Sequence, residues 1–206
     1  MHLVTGGAGV FGSLLIRKLL QLGEEVRCFD LNIPNFNHPK LKVVKGDIRD
    51  KNKIKKAFKD ISIVHHNIAQ VPIKKDISEF NSVNIKGTQN LLEVSLDYSV
   101  KKIIYTSSSA VFGVPKVNPV LENHIPEPCE AYGKAKYKGE HICSDFIQKG
   151  MDISIIRPRT ILGRGRLGIF QILFEWVRLG RNIPVLGDGS NIYQFVHADD
   201  LAELCI

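Results

Sequence analysis

The hydrophobic positions of this sequence fall into two alternating patterns. Short apolar runs bounded by polar residues or glycine predict strands at His2–Thr5, Glu25–Leu31, Leu41–Lys45, Ile61–Ile68, Lys102–Ser107 and Asp152–Arg157. Between them, apolar residues recurring every three or four positions predict helices at Val10–Leu22, Asp50–Lys59, Asp76–Tyr98, Glu130–Lys149 and Leu167–Leu179. Strands that alternate with helices predict βαβ units and a parallel sheet.

The later strands are apolar at successive positions, as in Ile103-Ile104-Tyr105 and Ile153–Ile156. This pattern is typical of a strand that helices cover on both faces. We therefore expect an α/β fold, a doubly wound parallel sheet with helices on both faces. Two short extended pieces, Ile183–Leu186 and Tyr193–Val196, precede a last helix that begins at Asp199 or Asp200.

The composition excludes several classes of protein. Hydrophobic residues make up 44% of the 206 residues and charged residues 24%, which is ordinary for a globular chain. No apolar run approaches the length of a membrane span and no basic leader opens the chain, so we expect no membrane partner. The cysteines at 28, 129, 143 and 205 have no C-x-x-C spacing. Reduced thiols and a cytoplasmic location are the simplest expectation.

The net charge of +7 is concentrated in one stretch. Nine of the 28 basic residues lie between Lys40 and Lys59. This stretch holds a single aromatic residue, Phe58, and no recognisable nucleic-acid motif. We interpret it as a solvated helix face and expect no nucleic-acid partner.

A glycine-rich loop follows the first predicted strand. Gly6, Gly9 and Gly12 are spaced G-x-x-G-x-x-G around Val10 and Phe11, where the first helix begins. Glycine permits the tight turn and lets backbone N–H groups approach a pyrophosphate at a helix N-terminus. Asp30 ends the next strand, where a carboxylate accepts ribose hydroxyls and repels a 2′-phosphate. The sequence therefore predicts a Rossmann-type dinucleotide site with NAD as the cofactor.

A candidate acid–base pair lies on the helix predicted at Glu130–Lys149. Tyr132 and Lys136 form Y-x-x-x-K, which places them one turn apart on one helix face. A nearby ammonium favours the phenolate and lowers a tyrosine pKa that is otherwise about 10. Hydroxyls of 106–109 end the strand before this helix, at the sheet edge where ligands bind.

In their order and spacing these motifs resemble the extended short-chain dehydrogenase/reductase superfamily, in the NAD-dependent epimerase/dehydratase family. The resemblance covers the whole chain. It also draws on Gly46-Asp47, Asn84-x-x-Gly87-Thr88, 107–113, Arg157-Pro158 and 197–200.

The resemblance implies a role for each of several residues. The catalytic groups would be Ser108, Tyr132 and Lys136. Asp47 and Ile48 would contact the adenine, and Asn84 would support the centre of the sheet. The remaining cofactor contacts would come from Ala69, Ser107, Tyr132, Lys136 and Pro158.

The implied chemistry is reversible hydride transfer through a keto intermediate on a nucleotide sugar, the expected small-molecule partner. The dehydratases carry Asp-Glu directly after the catalytic hydroxyl, but this sequence has Ser109-Ala110, so a 4,6-dehydratase is disfavoured. Arg157-Pro158-Arg159-Thr160 departs from the R-P-x-N of the nucleotide-sugar enzymes. A hydroxysteroid-dehydrogenase-type or ketoreductase enzyme therefore stays open, as does a non-catalytic NAD-sensing module.

The resemblance also implies a domain division. Residues 1–163 would form the NAD-binding domain with Ser108, Tyr132 and Lys136, and residues 164–206 the start of a substrate-binding region that lacks most of its lobe. The helices that carry Asn84 and Tyr132 often form a dimer interface in this family, so a homodimer is a hypothesis.

Other constellations do not predict a site. His65 and His66 are neighbours on a strand, point to opposite faces and cannot share one metal ion. Helix capping explains the carboxylates after His197, and Cys129 has no identified base. We expect no metal site.

Overall fold

The structure, a computed structural model, describes residues 1–70, 77–163, 165, 170–185 and 187–206. Six parallel strands form one sheet in the order β3-β2-β1-β4-β5-β6. Their bounds are β1 His2–Thr5, β2 Val26–Asp30, β3 Leu41–Lys45, β4 Ile63–His66, β5 Lys102–Thr106 and β6 Ile153–Ile156. The predicted doubly wound parallel sheet is confirmed, and each predicted strand lies where the apolar runs placed it.

Helices lie between and after these strands, and those that pack on the sheet cover both of its faces. The helices are α1 Val10–Gln21, α2 Lys51–Lys56, α3 Ile77–Glu79, α4 Thr88–Asp97, α5 Ala131–Gln148, α6 Phe170–Arg178 and α7 Ala198–Leu204. Side chains alternate along β1, so Leu3 packs into the hydrophobic cluster shared with α2, α4 and α5. Val4 packs into the cluster shared with α1 and α7. Both are fully buried, which explains why the strands lack polar alternation.

The strand order reverses beside β1. The chain steps from β1 outward through β2 to β3, returns to β4 on the other side of β1, and continues to β6. In open parallel sheets ligands bind at the carboxyl ends of the strands, where this reversal opens a crevice. The glycine loop after Thr5 and the segment after His66 meet at that point.

The helix predicted over Asp76–Tyr98 is not a regular α-helix. Residue 76 lies outside the described residues, and a π-helical stretch, Phe80–Gly87, separates α3 from α4. The Thr88 hydroxyl donates to the Asn84 carbonyl at 2.7 Å within this stretch. A Cβ on Gly87 would lie 2.6 Å from the Ile48 side chain, so glycine lets the helix pack closely there. Wide helical turns of this kind recur at functional sites.

The C-terminal part differs more from expectation. Strand β7, Thr160–Leu162, pairs in parallel with β8, Phe195–His197, as a separate small sheet. Residues 183–185 form no strand, so the extended piece predicted there is wrong for these residues, and Leu186 lies outside the described part. The helix predicted from Leu167 is described only from Phe170 onward.

Helix α7 packs on the main sheet through α1. Leu201 and Ala202 are buried in the α1 cluster, and Lys18 Nζ lies 2.8 Å from Glu203 and 3.4 Å from Asp199. The division at residue 163 therefore stays a prediction. None of the helices in the described ranges is long and apolar enough to cross a membrane.

Candidate active site

The glycine loop has the geometry of a phosphate cradle. Gly6 has φ +71°, the left-handed region that favours glycine, and its N–H donates to the Phe29 carbonyl at 2.9 Å. A Cβ on Gly12 would overlap the Gly6 carbonyl oxygen. Only glycine at position 12 therefore allows α1 to start directly against the loop.

The start of α1 is open to an anion. Gly9 is the N-cap residue and offers no side chain to cap the helix. The first N–H groups of a helix have no partner within it and carry partial positive charge. Gly9 and Val10 are exposed, so the first residues of this helix end face solvent. Loop and helix end together fit the pyrophosphate of a dinucleotide.

Asp30 lies beside this loop. One of its carboxylate oxygens accepts from the Ala8 N–H at 3.1 Å, and the other accepts from the Asn32 N–H at 2.9 Å. A carboxylate has about four lone-pair sites, so both oxygens can still accept ribose hydroxyls. The structure thus holds Asp30 at the end of β2, and its contact with the ribose stays a prediction.

The two residues expected at the adenine differ in environment. Asp47 accepts from the Arg49 backbone and guanidinium at 2.9 Å, and these hydrogen bonds lower the pKa of its carboxyl group. Ile48 is buried and packs against Gly87. Their contact with adenine stays a prediction.

Asn84 fixes the segment that follows β4. Its Oδ1 accepts from the Gln70 N–H at 2.7 Å and its Nδ2 donates to the Gln70 carbonyl at 3.1 Å. Ala69 is half-buried beside this contact. Asn84 itself is buried in the π-helical stretch, so the wide turn places its amide under the loop that borders the crevice.

Lys136 is buried under the end of β5. Its Nζ donates to the Thr106 carbonyl at 2.6 Å and lies 4.8 Å from the centre of the Tyr105 ring. Burial lowers the pKa of this ammonium to about 8. Gly139 permits the close approach of α5, because a Cβ there would overlap the Tyr105 hydroxyl.

Tyr132 lies one turn before Lys136 on α5 and packs edge-on against Phe80, with ring centres 6.3 Å apart. Ser108 is half-buried and caps the short 3₁₀ turn Ser109–Phe112, accepting from the Ala110 N–H at 3.2 Å. The Ser109 N–H donates to the Pro158 carbonyl at 3.0 Å, which brings the end of β6 to the same edge.

Ser107 faces away from the crevice. It is 2% exposed, and its hydroxyl donates to Glu140 Oε1 at 2.5 Å. The guanidinium of Arg157 donates to both oxygens of the same carboxylate, from Nε to Oε1 at 2.9 Å and from Nη2 to Oε2 at 2.7 Å. The predicted cofactor contact of Ser107 stays a prediction, and the hydroxyl has a structural partner already.

Sequence reasoning missed Glu140 and the polar chain beneath the crevice. His66 bridges the Thr5 hydroxyl at 2.8 Å and the Thr88 hydroxyl at 3.0 Å. Glu140 follows Lys136 by four residues, and this spacing was the one available signal. Nothing in the sequence pattern pairs His66 with Thr88.

His65 and His66 do point apart, as predicted. The His65 ring stacks on His2 at 5.4 Å on the opposite side from Thr88. Across the described residues, no three histidine, cysteine or acidic side chains group as metal ligands.

Comparisons with known proteins identify the family of this chain. A profile of the NAD dependent epimerase/dehydratase family matches residues 2–206. Uncharacterized protein y4nG of Sinorhizobium fredii is 55% identical over 99% of this chain and 52% of its own length. The chain thus spans about half the length of that relative.

Two solved structures share the fold over 98% of this chain. The Thermus thermophilus UDP-glucose 4-epimerase complex with NAD is 30% identical, with a TM-score of 0.84 and 72% of its own chain covered. The Thermotoga maritima UDP-glucose 4-epimerase with UDP-glucose is 29% identical, with a TM-score of 0.84 and 71% covered. The match to an NAD dependent family confirms the predicted cofactor, NAD.

Proposed function

The chain belongs to the NAD dependent epimerase/dehydratase family, and we propose that it is an oxidoreductase acting on a nucleotide sugar. The reaction would be reversible hydride transfer through a keto intermediate. One observation carries the proposal: Tyr132 and Lys136 lie one turn apart on α5, Lys136 reaches the Thr106 carbonyl at the end of β5, and Gly133 between them packs on the short turn that Ser108 caps.

The glycine loop and Asp30 would hold the dinucleotide. The pyrophosphate would lie on the N–H groups that open α1, and Asp30 would accept the ribose hydroxyls of the adenosine half. When bound, NAD supplies the hydride acceptor and, in the reverse direction, the hydride donor.

The α5 pair would move the proton. Tyr132 would remove the proton of the substrate hydroxyl, and the Lys136 ammonium one turn away would stabilise the phenolate. The Ser108 hydroxyl would hold the reacting oxygen. Because the Thr106 carbonyl holds Lys136 Nζ at 2.6 Å, the ammonium is oriented before any substrate arrives.

The nucleotide-sugar substrate is supported by the solved relative that holds UDP-glucose. Ser109 and Ala110 follow the catalytic hydroxyl and provide no acid or base, so epimerisation is proposed in preference to dehydration. The reacting carbon would be oxidised to a ketone and reduced again from its other face.

The test has two stages. We would titrate the chain with NADH and NADPH by nicotinamide fluorescence, and then assay UDP-sugars for interconversion. Tight NADH binding with turnover that Tyr132→Phe abolishes, while NADH still binds, is the expected result. Turnover that survives in Tyr132→Phe would exclude the mechanism. NADH binding without turnover of any UDP-sugar would favour a sterol-type substrate or an NAD-sensing module.

We also propose a homodimer through α5 and the π-helical stretch. A hollow of about 230 Å³ opens between these helices, lined by Phe80, Asn81, Ala131, Lys134, Ala135 and Lys138. Light scattering after size-exclusion chromatography would give the mass, and a monomer at micromolar concentration would contradict the proposal.

A further inference from the structure

Glu140 is a buried carboxylate on the helix that carries the acid–base pair. Glu140 is 3% exposed. Its oxygens accept from the Ser107 hydroxyl and from two nitrogens of Arg157, so the carboxylate joins α5 to the ends of β5 and β6. The Ser107 N–H also donates to the Ile156 carbonyl at 2.7 Å, so a second hydrogen bond holds the ends of β5 and β6 together.

Lys136 needs a negative partner in this position. The ammonium is 2% exposed, and its one hydrogen bond among the described residues is to the Thr106 carbonyl, which carries no net charge. Burial of an unpaired cation is costly, and it favours the neutral amine. Residues four apart on a helix are neighbours, so Glu140 lies one turn beyond Lys136 on the same face.

Three other titratable groups around Lys136 are neutral at physiological pH. On α5, burial raises the pKa of the Cys143 thiol to about 12. On β5, burial raises the pKa of Tyr105 well above its usual value. On β4, burial and the charge of Lys136 lower the pKa of His66 to about 3.

Two further groups complete the surroundings. Tyr132 lies one turn before Lys136 on the same helix, and Arg157 brings a second cation, with Tyr137 near its guanidinium. Among the described groups that act on Lys136, Glu140 therefore supplies the negative charge.

We propose that Glu140 is a positioning residue for the acid–base pair, whose buried carboxylate keeps Lys136 cationic and shares its charge between Lys136 and Arg157. The proposal rests on the proposed function, because the charge of Lys136 matters for the phenolate of Tyr132. Arg157 weakens the stabilisation of the Lys136 ammonium by Glu140, because its guanidinium binds the same carboxylate directly. The two cations thus compete for one anion.

The competition predicts opposite effects for two substitutions. Glu140→Gln keeps the size and the acceptor for Ser107 but removes the charge, so Lys136 should lose its proton at lower pH. Arg157→Gln keeps a donor to Glu140 but removes the competing cation, so Lys136 should hold its proton to higher pH. A purely structural role for Glu140 predicts no fall of the midpoint in Glu140→Gln, whereas the loss of repulsion between Arg157 and Lys136 raises the midpoint in Arg157→Gln under either role.

The measurement is an NMR titration of the full chain carrying ¹³C-labelled lysine, without cofactor. The signal of Lys136 is assigned by its loss in Lys136→Met. Its pKa of about 8 separates it from exposed lysines, which titrate near 10.4. Asp145→Asn, which removes an exposed carboxylate from the same helix, is the matched control.

We expect the midpoint to fall by about one pH unit in Glu140→Gln, to rise in Arg157→Gln and to stay unchanged in Asp145→Asn. An unchanged midpoint in folded Glu140→Gln, or shifts of the same sign in both variants, would overturn the proposal. If Glu140→Gln does not fold, a midpoint that fails to rise in Arg157→Gln still overturns the proposal.

The readout needs no turnover, so the two proposals can fail separately. The absence of NADH binding or of turnover that depends on Tyr132 would contradict the proposed function. The lysine titration tests only the role of Glu140. In an active enzyme, Glu140→Gln should also move the alkaline limb of the kcat profile to lower pH, with little change in KM.

Discussion

The side-chain amide of Asn84 binds the backbone of Gln70 reciprocally, accepting from its N–H at 2.7 Å and donating to its carbonyl at 3.1 Å. One side chain thereby satisfies both backbone groups of a loop residue at the rim of the crevice. The π-helical stretch turns this amide inward, while Asn81 in the same stretch is exposed. The irregular helix thus fixes the loop that borders the proposed cofactor site.

We predict that Asn84→Ala destabilises the fold and weakens NADH binding. Leaving buried backbone groups without partners costs about 1–3 kcal/mol. Denaturant unfolding and NADH fluorescence titration would measure both effects. Asn182→Ala, at an exposed position outside the site, is the control and should change neither, so equal losses in the two variants would contradict the role of Asn84.

Gly12→Ala should abolish NADH binding, because the new Cβ overlaps the Gly6 carbonyl and displaces the phosphate loop. Gly150→Ala provides the comparison. Gly150 has φ +91° with nothing within 4 Å of an added Cβ, so alanine there costs stability of about 1–2 kcal/mol through backbone strain. Its NADH affinity should stay that of the parent. Similar NADH affinities in Gly12→Ala and Gly150→Ala would contradict the binding of the cofactor by the glycine loop.

Asp30→Asn should reduce the preference for NADH over NADPH. The carboxylate repels a 2′-phosphate, and removing about 1.4 kcal/mol of repulsion changes the ratio of dissociation constants about tenfold. The amide has one acceptor oxygen, so it can keep the hydrogen bond from the Ala8 N–H or the one from the Asn32 N–H, and any resulting loss of loop order weakens both cofactors alike and cancels in the ratio. Parallel titrations with the two reduced cofactors give the ratio, and an unchanged ratio would show that Asp30 does not select the cofactor.

Stability should fall as the pH is lowered below about 6.5. Burial lowers the pKa of His65 and of His66 to about 3 in the folded chain, whereas unfolded histidine titrates near 6.5. Between these values the unfolded chain binds more protons, so stability rises with pH and is lost on acidification. Each histidine contributes a slope of up to about 1.4 kcal/mol per pH unit.

Urea unfolding between pH 7.5 and 4 would measure this dependence. His66→Gln should reduce the pH slope of stability by the contribution of one histidine. The variant should also be less stable than the parent at every pH, because it loses the hydrogen bonds of His66 to Thr5 and Thr88. His38→Gln removes an exposed histidine and should leave the slope unchanged. A pH-independent parent would refute the assignment.

Local sequence patterns were sufficient for the fold. Apolar runs predicted the six strands of the main sheet, and the glycine spacing with Asp30 predicted the cofactor loop, because steric limits at a turn act on neighbouring residues. The spacing of Tyr132 and Lys136 followed from the helix period alone. The helix predicted from Asp50 begins at Lys51, and the Asp50 side chain caps it by accepting from the N–H groups of Asn52 and Lys53.

Tertiary structure alone decided the environment of those residues. No local period encodes contacts between elements far apart in the chain. These contacts include the hydrogen bonds of Asn84 to Gln70, which the π-helical turn allows, and those of Glu140 to Ser107 and Arg157. The pKa of Lys136 is likewise a property of burial. The sequence by itself determined which chemical groups are present and on which element each lies. The packing of α5 against β5 and β6 decided which of them are charged and which face one another, because desolvation and pairing depend on three-dimensional neighbours.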